Sequence, residues 1–155
     1  MTERKNVPDY IKITDADVAP GTEYWHLKCV EYWDNQQSGG THHIYAGEPH
    51  DPSVRMEVSN GQETWTVVLD KPSNEPAGNF AMWSGNTYSA KLEGASDVIE
   101  GMHMPHKQHV SFLLVWERTI KGADWEPSGD LLSLENKLRE DAKDFAYPLN
   151  KEAAL

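Results

Sequence analysis

The chain has 155 residues, a length that suits one domain, and its 38% hydrophobic share with six Trp and six Tyr excludes disorder along its whole length. A formal net charge of -11 argues against a nucleic-acid partner, because gripping a phosphate backbone takes clustered Lys and Arg. The single cysteine, Cys29, excludes an intrachain disulfide, and no apolar stretch approaches the ~20 residues of a membrane span.

The N-terminus, MTERKNVPDY, lacks the apolar core of a secretory signal, so the sequence predicts a protein made in the cytoplasm without a signal peptide. Residues 1–22 read as an extended arm. Val7-Pro8 and Pro20-Gly21 bracket a polar stretch with one β-prone piece, Tyr10-Ile11-Lys12-Ile13, which either stays mobile or docks on a neighbour. Tyr24 to Trp33 alternates as a strand with apolar residues on both faces: Tyr24, His26, Lys28, Val30 and Tyr32 against Trp25, Leu27, Cys29, Glu31 and Trp33.

Asp34 to Gly40 reads as a turn and Thr41 to Ala46 as a second strand, broken by Gly47 to Pro52. Next come SVRMEVS and QETWTVVL around Asn60-Gly61, a dipeptide that favours a two-residue hairpin turn. That turn sets Met56 opposite Trp65 and Val54 opposite Val67 on one face, with Arg55/Thr66 and Glu57/Thr64 on the other. Residues 70–86 read as a long loop, Thr87 to Glu93 as a strand, and Gly94 to Gln108 as another loop. His109 to Thr119 is the strongest strand pattern, with Val110, Phe112, Leu114 and Trp116 on one face.

After Gly122 the period becomes helical. Leu131, Leu134, Leu138, Ala142 and Phe145 recur between charged residues, with Ser128 or Asp130 as N-cap and Pro148 as the stop. The expected architecture is mainly β: an Ig/transthyretin-like antiparallel β-sandwich over residues 23–120, an N-terminal arm over 1–22, and a C-terminal linker and amphipathic helix over 121–155.

Several motifs follow one another in the central region: Leu69-Asp70-Lys71-Pro72, Asn74 to Asn79, and Met82-Trp83 with Gly85. To these add Gly39 to Tyr45, then Ser96, Asp97 and Gly101, and the closing strand His109 to Thr119. Together, from about Tyr24 to Thr119, they resemble a poorly characterised bacterial and phage β-sandwich module. The resemblance implies an Ig- or transthyretin-like accessory domain of the kind found beside hydrolases that act on cell walls or glycans, with no established chemistry. Two departures stand out: no hydrolase is attached, and Val110 stands where that module would have a second histidine.

Three sets of residues invite a chemical reading. Imidazoles suit transition metals, so His43 with His106 and His109 forms the candidate metal set, although no HExxH-type spacing supports it. His42 and His43, adjacent on a strand, are expected to point to opposite faces. The second set is aromatic. Trp33 and Trp83 sit beside turns, where an exposed indole can stack on a sugar ring, and His42 and His43 would flank them as a glycan site. The third is a grip on neighbouring subunits, from Tyr10, Ile11 and Ile13 of the arm and Leu131, Leu134, Leu138 and Phe145 of the helix.

No nucleophile constellation or phosphate loop is present, so no catalytic residues and no cofactor are expected, and the sequence reads as that of a non-enzyme. The function expected first is that of a structural or binding accessory protein of a larger assembly, most concretely a phage virion surface or capsid decoration protein. Its partners would be further copies of itself or other structural proteins, with no nucleic acid and no membrane. The alternative is a carbohydrate-binding module for cell-wall or surface glycans, and the third reading is a metal-dependent enzyme using the histidines.

Overall fold

In the computed structural model, which describes residues 1–122, the alternating segments pair into ten strands. They are β1 (Glu3–Lys5), β2 (Lys12–Thr14), β3 (Glu23–Trp33), β4 (His43–Glu48), β5 (Asp51–Ser59), β6 (Thr64–Leu69), β7 (Gly78–Ala81), β8 (Tyr88–Leu92), β9 (Val98–Met102) and β10 (Ser111–Ile120). One sheet has the order β1-β3-β10-β4-β7 and the other β2-β9-β8-β5-β6. The chain is a mainly-β sandwich. Its first sheet is mixed where antiparallel pairing was expected, since β1 runs parallel to β3 and β4 parallel to β10. Among the described residues no helix is long and apolar enough to cross a membrane. The helix expected from Leu131 to Phe145, with Trp125 before it, lies outside the described residues.

The two-residue period of a strand builds the core. On β10 and just before it, Val110, Phe112 and Leu114 are fully buried and Trp116 is 1% exposed. They join Leu27, Val30, Ile44 and Ala46 of their own sheet and Met56, Val58, Tyr88, Leu92 and Ile99 of the other. Each large side chain buried this way contributes roughly 1.5–3 kcal/mol. On β3 the simple alternation fails, because Leu27 and Val30, three residues apart, are both fully buried. The period slips between them, and Tyr32 follows Val30 inward, its ring 5.2 Å from that of Phe112.

Residues Met1–Val18 group with Glu23–Thr119. Instead of remaining an arm, the N-terminal segment supplies one edge strand to each sheet: Glu3 pairs with Cys29, and Ile13 with Ile99. Ile11 (4% exposed) and Ala16 (5%) enter the core, and Ile13 packs against it, so these arm residues are buried by their own chain. Gly101 permits this docking. Its φ of +98° suits glycine, and a Cβ there would stand 2.6 Å from the Tyr10 carbonyl oxygen. Separately, Ala19–Thr22 groups with residues 120–122. Within that unit the Gly21 N–H donates to the Lys121 carbonyl at 2.9 Å, and the Lys121 N–H to that of Thr22 at 2.8 Å.

Three details correct the sequence reading. The hairpin pairs Met56 with Val67 and Val58 with Trp65, a register two residues away from the expected one. Asn60 is the cause. Its side-chain Oδ1 accepts the N–H groups of Gln62 (2.9 Å) and Glu63 (2.8 Å), so the loop closes over four residues and only Gly61 takes positive φ. A two-residue shift keeps every side chain on its expected face. Next, the long loops at 70–86 and 94–108 contain strands β7 and β9. At β7 the pattern is hidden by Gly78, where a Cβ would lie 2.8 Å from both Leu69 Cδ2 and Val67 Cγ1; the backbone itself packs on β6 there. Lastly, β4 runs through Gly47 to Glu48, because the missing Cβ leaves room for Leu113 and Val115.

Candidate functional site

Three histidines, His42, His43 and His109, meet near Trp83 at one end of the sandwich, and local hydrogen bonds explain why. Gly39 and Gly40 take left-handed φ values of 62° and 94°, which turns the chain from β3 back toward β10. There the Ser38 hydroxyl donates to the His109 carbonyl at 2.7 Å, and the His109 N–H donates to Asn35 Oδ1 at 3.1 Å. Thr41 and Ser111 share a hydroxyl–hydroxyl bond of 2.8 Å. These ties set the start of β4 against the start of β10, and the His42 ring lies 5.0 Å from that of His109.

His42 is anchored on its other side by Met82. The Met82 N–H donates to the His42 carbonyl at 2.7 Å, and His42 Nδ1 donates to the Met82 carbonyl at 2.6 Å. A carbonyl only accepts, so the proton of neutral His42 resides on Nδ1 and Nε2 is left as an acceptor. The next residue, Trp83, donates its N–H to the Tyr88 hydroxyl at 3.0 Å. Its indole is 65% exposed and stands 5.8 Å from the His42 ring, edge to face. The turn beyond it is held by Asn86, whose Oδ1 accepts from Asn60 Nδ2 at 3.0 Å.

From this corner a strip of rings runs along the first sheet. His42 is 5.3 Å from His43, His43 stacks on Tyr45 at 5.3 Å, and Tyr45 is 5.5 Å from Trp33. The four residues expected at a glycan site, Trp33, Trp83, His42 and His43, thus belong to one continuous strip. Tyr45 and His109 complete it. Tyr45 was legible as the residue two after His43 on the same strand, hence on its face, whereas nothing local marks His109 as a neighbour of His42. The adjacent histidines do not part to opposite faces, because β4 begins at His43 and His42 precedes it.

Beside the strip lies a cleft of about 380 Å³, lined by Ser84 and Gly85 on one wall and residues 104–109 on the other. His106 and His109 face this cleft, not a shared metal position with His43. Among the described residues no three His, Cys, Asp or Glu side chains group as a metal would need. The expected set of His43, His106 and His109 is therefore not assembled; it is the His42 ring that meets both His43 and His109.

Burial, and then the charge of His42, hold the His43 imidazole below its ordinary value, and its Nδ1 is buried without a partner. The unfolded chain then takes up this proton first. Stability that is fully present above the ordinary value of 6.5 is lost as pH falls through it, and His43→Gln is expected to flatten that slope in denaturation curves run from pH 7.5 to 5.

The other tryptophans among the described residues serve packing. Trp116 is buried, Trp65 lies against Phe80 (5.1 Å) and Tyr88 (6.3 Å), and Trp25 is covered by the Arg118 guanidinium at 5.3 Å. Burial, then Glu3, push the Cys29 thiol up, which makes it a poor nucleophile at neutral pH. The other polar cluster is a brace. The fully buried Asp97 carboxylate accepts the Ala16 N–H on Oδ1, and the Leu27 N–H and His26 Nδ1 on Oδ2, each at 2.8 Å. Both oxygens are occupied, so Asp97 ties the arm, β3 and β9 together and offers nothing to a ligand.

In comparison with known proteins, no family model matches the chain, and neither a curated protein nor a solved structure matches it.

Proposed function

We propose that the protein is a non-enzymatic binding protein that holds a saccharide on Trp83 at the cleft end of the sandwich. The observation that carries this reading is the 65% exposed indole, presented on a hydrogen-bonded turn beside a cleft. A pyranose has an apolar C–H face and a rim of hydroxyls. The indole covers the first, while His42 Nε2, the Ser84 hydroxyl and the Gln108 amide offer donors and acceptors to the second. An exposed Trp held rigid loses little entropy on binding, which is how a single aromatic anchor comes to dominate an interface.

The test is a glycan array followed by calorimetric titration of the best ligand. Trp83→Ala is expected to weaken binding by about tenfold or more with unchanged thermal midpoint. An array without signal, or a variant that binds as well as the parent, ends the reading.

Membership of a larger assembly such as a virion surface is favoured by a different observation. Trp33, Tyr45, Leu113 and Val115 are all half-buried, and Tyr45 pairs with Leu113 across β4 and β10, which gives the first sheet an apolar outer face of the kind that neighbours cover. The arm contributes less than expected to such a grip. Ile11 and Ile13 pack inside, and Tyr10 rests on His103 with ring centroids 4.4 Å apart. Leu131, Leu134, Leu138 and Phe145 lie outside the described residues. Light scattering on the full chain decides: a closed oligomer supports the assembly, and a monomer at every concentration removes it.

A further inference from the structure

We infer that the cleft beside Trp83 takes an anionic group, a carboxylate or phosphate carried by the bound saccharide, with Lys107 as the residue that selects it. This rests on the saccharide reading and narrows it. The chain carries 25 acidic against 14 basic residues, yet no carboxylate lines the cleft. Its ionisable lining is Lys107, His106 and His109. Hydroxyl-rich neutral sugars both donate and accept, and a site for them needs acceptors as much as donors. The imidazoles, the amide and the Ser84 hydroxyl offer both donors and acceptors. The Lys107 ammonium adds three donors, a positive charge and no acceptor, and with no carboxylate opposite it suits a ligand group that only accepts. Among the described residues the Lys107 ammonium has no ion pair or hydrogen bond, so its donors are available to a ligand.

The backbone supplies an independent observation. Lys107 sits at φ +61°, in the left-handed region where a β-carbon costs roughly 1 kcal/mol and glycine costs nothing. The Gln108 N–H closes this turn on the Pro105 carbonyl at 3.0 Å. A lysine kept where glycine would be less strained, on the wall of a cleft, fits a side chain retained for what it binds.

The experiment is calorimetry on the full chain with three oligosaccharides of matched length: a uronic-acid oligomer, a sugar-phosphate oligomer and a neutral one. Each is run in low salt and in ~0.5 M NaCl, where the Debye length falls to a few ångström. The expected result is that one or both acidic oligomers bind about fivefold or more tighter than the neutral one in low salt, and that the advantage collapses in high salt. The better acidic arm identifies carboxylate or phosphate as the group recognised. Lys107→Gly should abolish the advantage while leaving the thermal midpoint equal or higher, since it relieves the left-handed strain. That combination separates lost recognition from lost folding. A neutral oligomer bound as tightly as both acidic ones overturns this inference and leaves the saccharide reading standing. Acidic binding that survives both high salt and Lys107→Gly also overturns it. Binding of none of the three by the parent protein overturns both.

Discussion

Asp97→Ala is expected to lower the unfolding free energy by about 3–5 kcal/mol, the range seen when one member of a buried charged network is removed and its partners are left behind. The substitution orphans three donors at once, the N–H groups of Ala16 and Leu27 and the His26 ring, all now at 2.8 Å from the carboxylate. Two of those donors are main-chain groups whose bonds to the carboxylate are buried, so losing them costs more than losing exposed ones. Asp97→Asn sharpens the test. With its amide oxygen at the Oδ2 position it keeps two bonds and turns its NH₂ toward the Ala16 N–H, so its loss should be smaller, on the order of 1–3 kcal/mol. His26→Ala removes one donor and leaves the carboxylate paired twice, and should cost about 1 kcal/mol. Urea titrations of the three variants read this ordering directly. A loss below about 1 kcal/mol for Asp97→Ala would show that the brace carries little of the fold.

Gly101→Ala is expected to cost roughly 2–4 kcal/mol and to loosen the N-terminal segment selectively. Two costs combine at this position. A φ of +98° is unfavourable for any residue with a β-carbon, and the new methyl would lie 2.6 Å from the Tyr10 carbonyl oxygen, a main-chain atom that moves only if β2 moves. Gly94→Ala is the control. It shares the backbone conformation, with φ +90°, but a Cβ there meets nothing within 4 Å. It therefore reports strain alone, roughly 1–2 kcal/mol. The excess of Gly101→Ala over Gly94→Ala measures the contact with the arm. Hydrogen exchange should place that excess in residues 10–14 and in β9, which pairs with β2. Equal losses for the two variants, with no added exchange near β2, would show that the arm does not rest on Gly101.

The Ser96, Asp97 and Gly101 motif thus has a physical account within this chain. Asp97 gathers donors from the arm and β3, and Gly101 lets the arm backbone approach. Ser96 adds a local tie, its hydroxyl accepting the Leu92 N–H at 3.0 Å and donating to the Asp97 carbonyl at 2.7 Å. The loop after β6 is explained in the same way. The Lys71 N–H donates to the Ala77 carbonyl at 3.1 Å, and His50 Nδ1 donates to the Lys71 carbonyl at 2.8 Å, so Pro72 and Pro76 sit in a turn fastened at its base.

Several features of this protein were determined by its sequence alone. Val110, Phe112, Leu114 and Trp116 repeat every second residue as the bulkier apolar face of one strand, and a sheet formed from them buries that face. The same local logic identified β5, β6 and β8, assigned the hairpin faces correctly, and marked Trp83 as an indole beside a turn. It failed where the deciding contact is remote. Gly78 hides a strand because its neighbours Leu69 and Val67 come from another segment, and Asn60 shifts the hairpin register through side-chain bonds that compete with the turn its dipeptide favours. The arm residues Ile11 and Ile13 looked available to a partner until β9 and the core covered them. The meeting of His42, His109 and Trp83 was decided only by tertiary structure. Each is ordinary in its own segment, and it took the Gly39-Gly40 turn, the Ser38 and Thr41 hydroxyl bonds to the start of β10, and the Met82–His42 pair to bring three distant segments to one corner. Alternation along a strand is a short-range property of the chain, whereas a binding corner is a sum of long-range contacts that no single segment encodes.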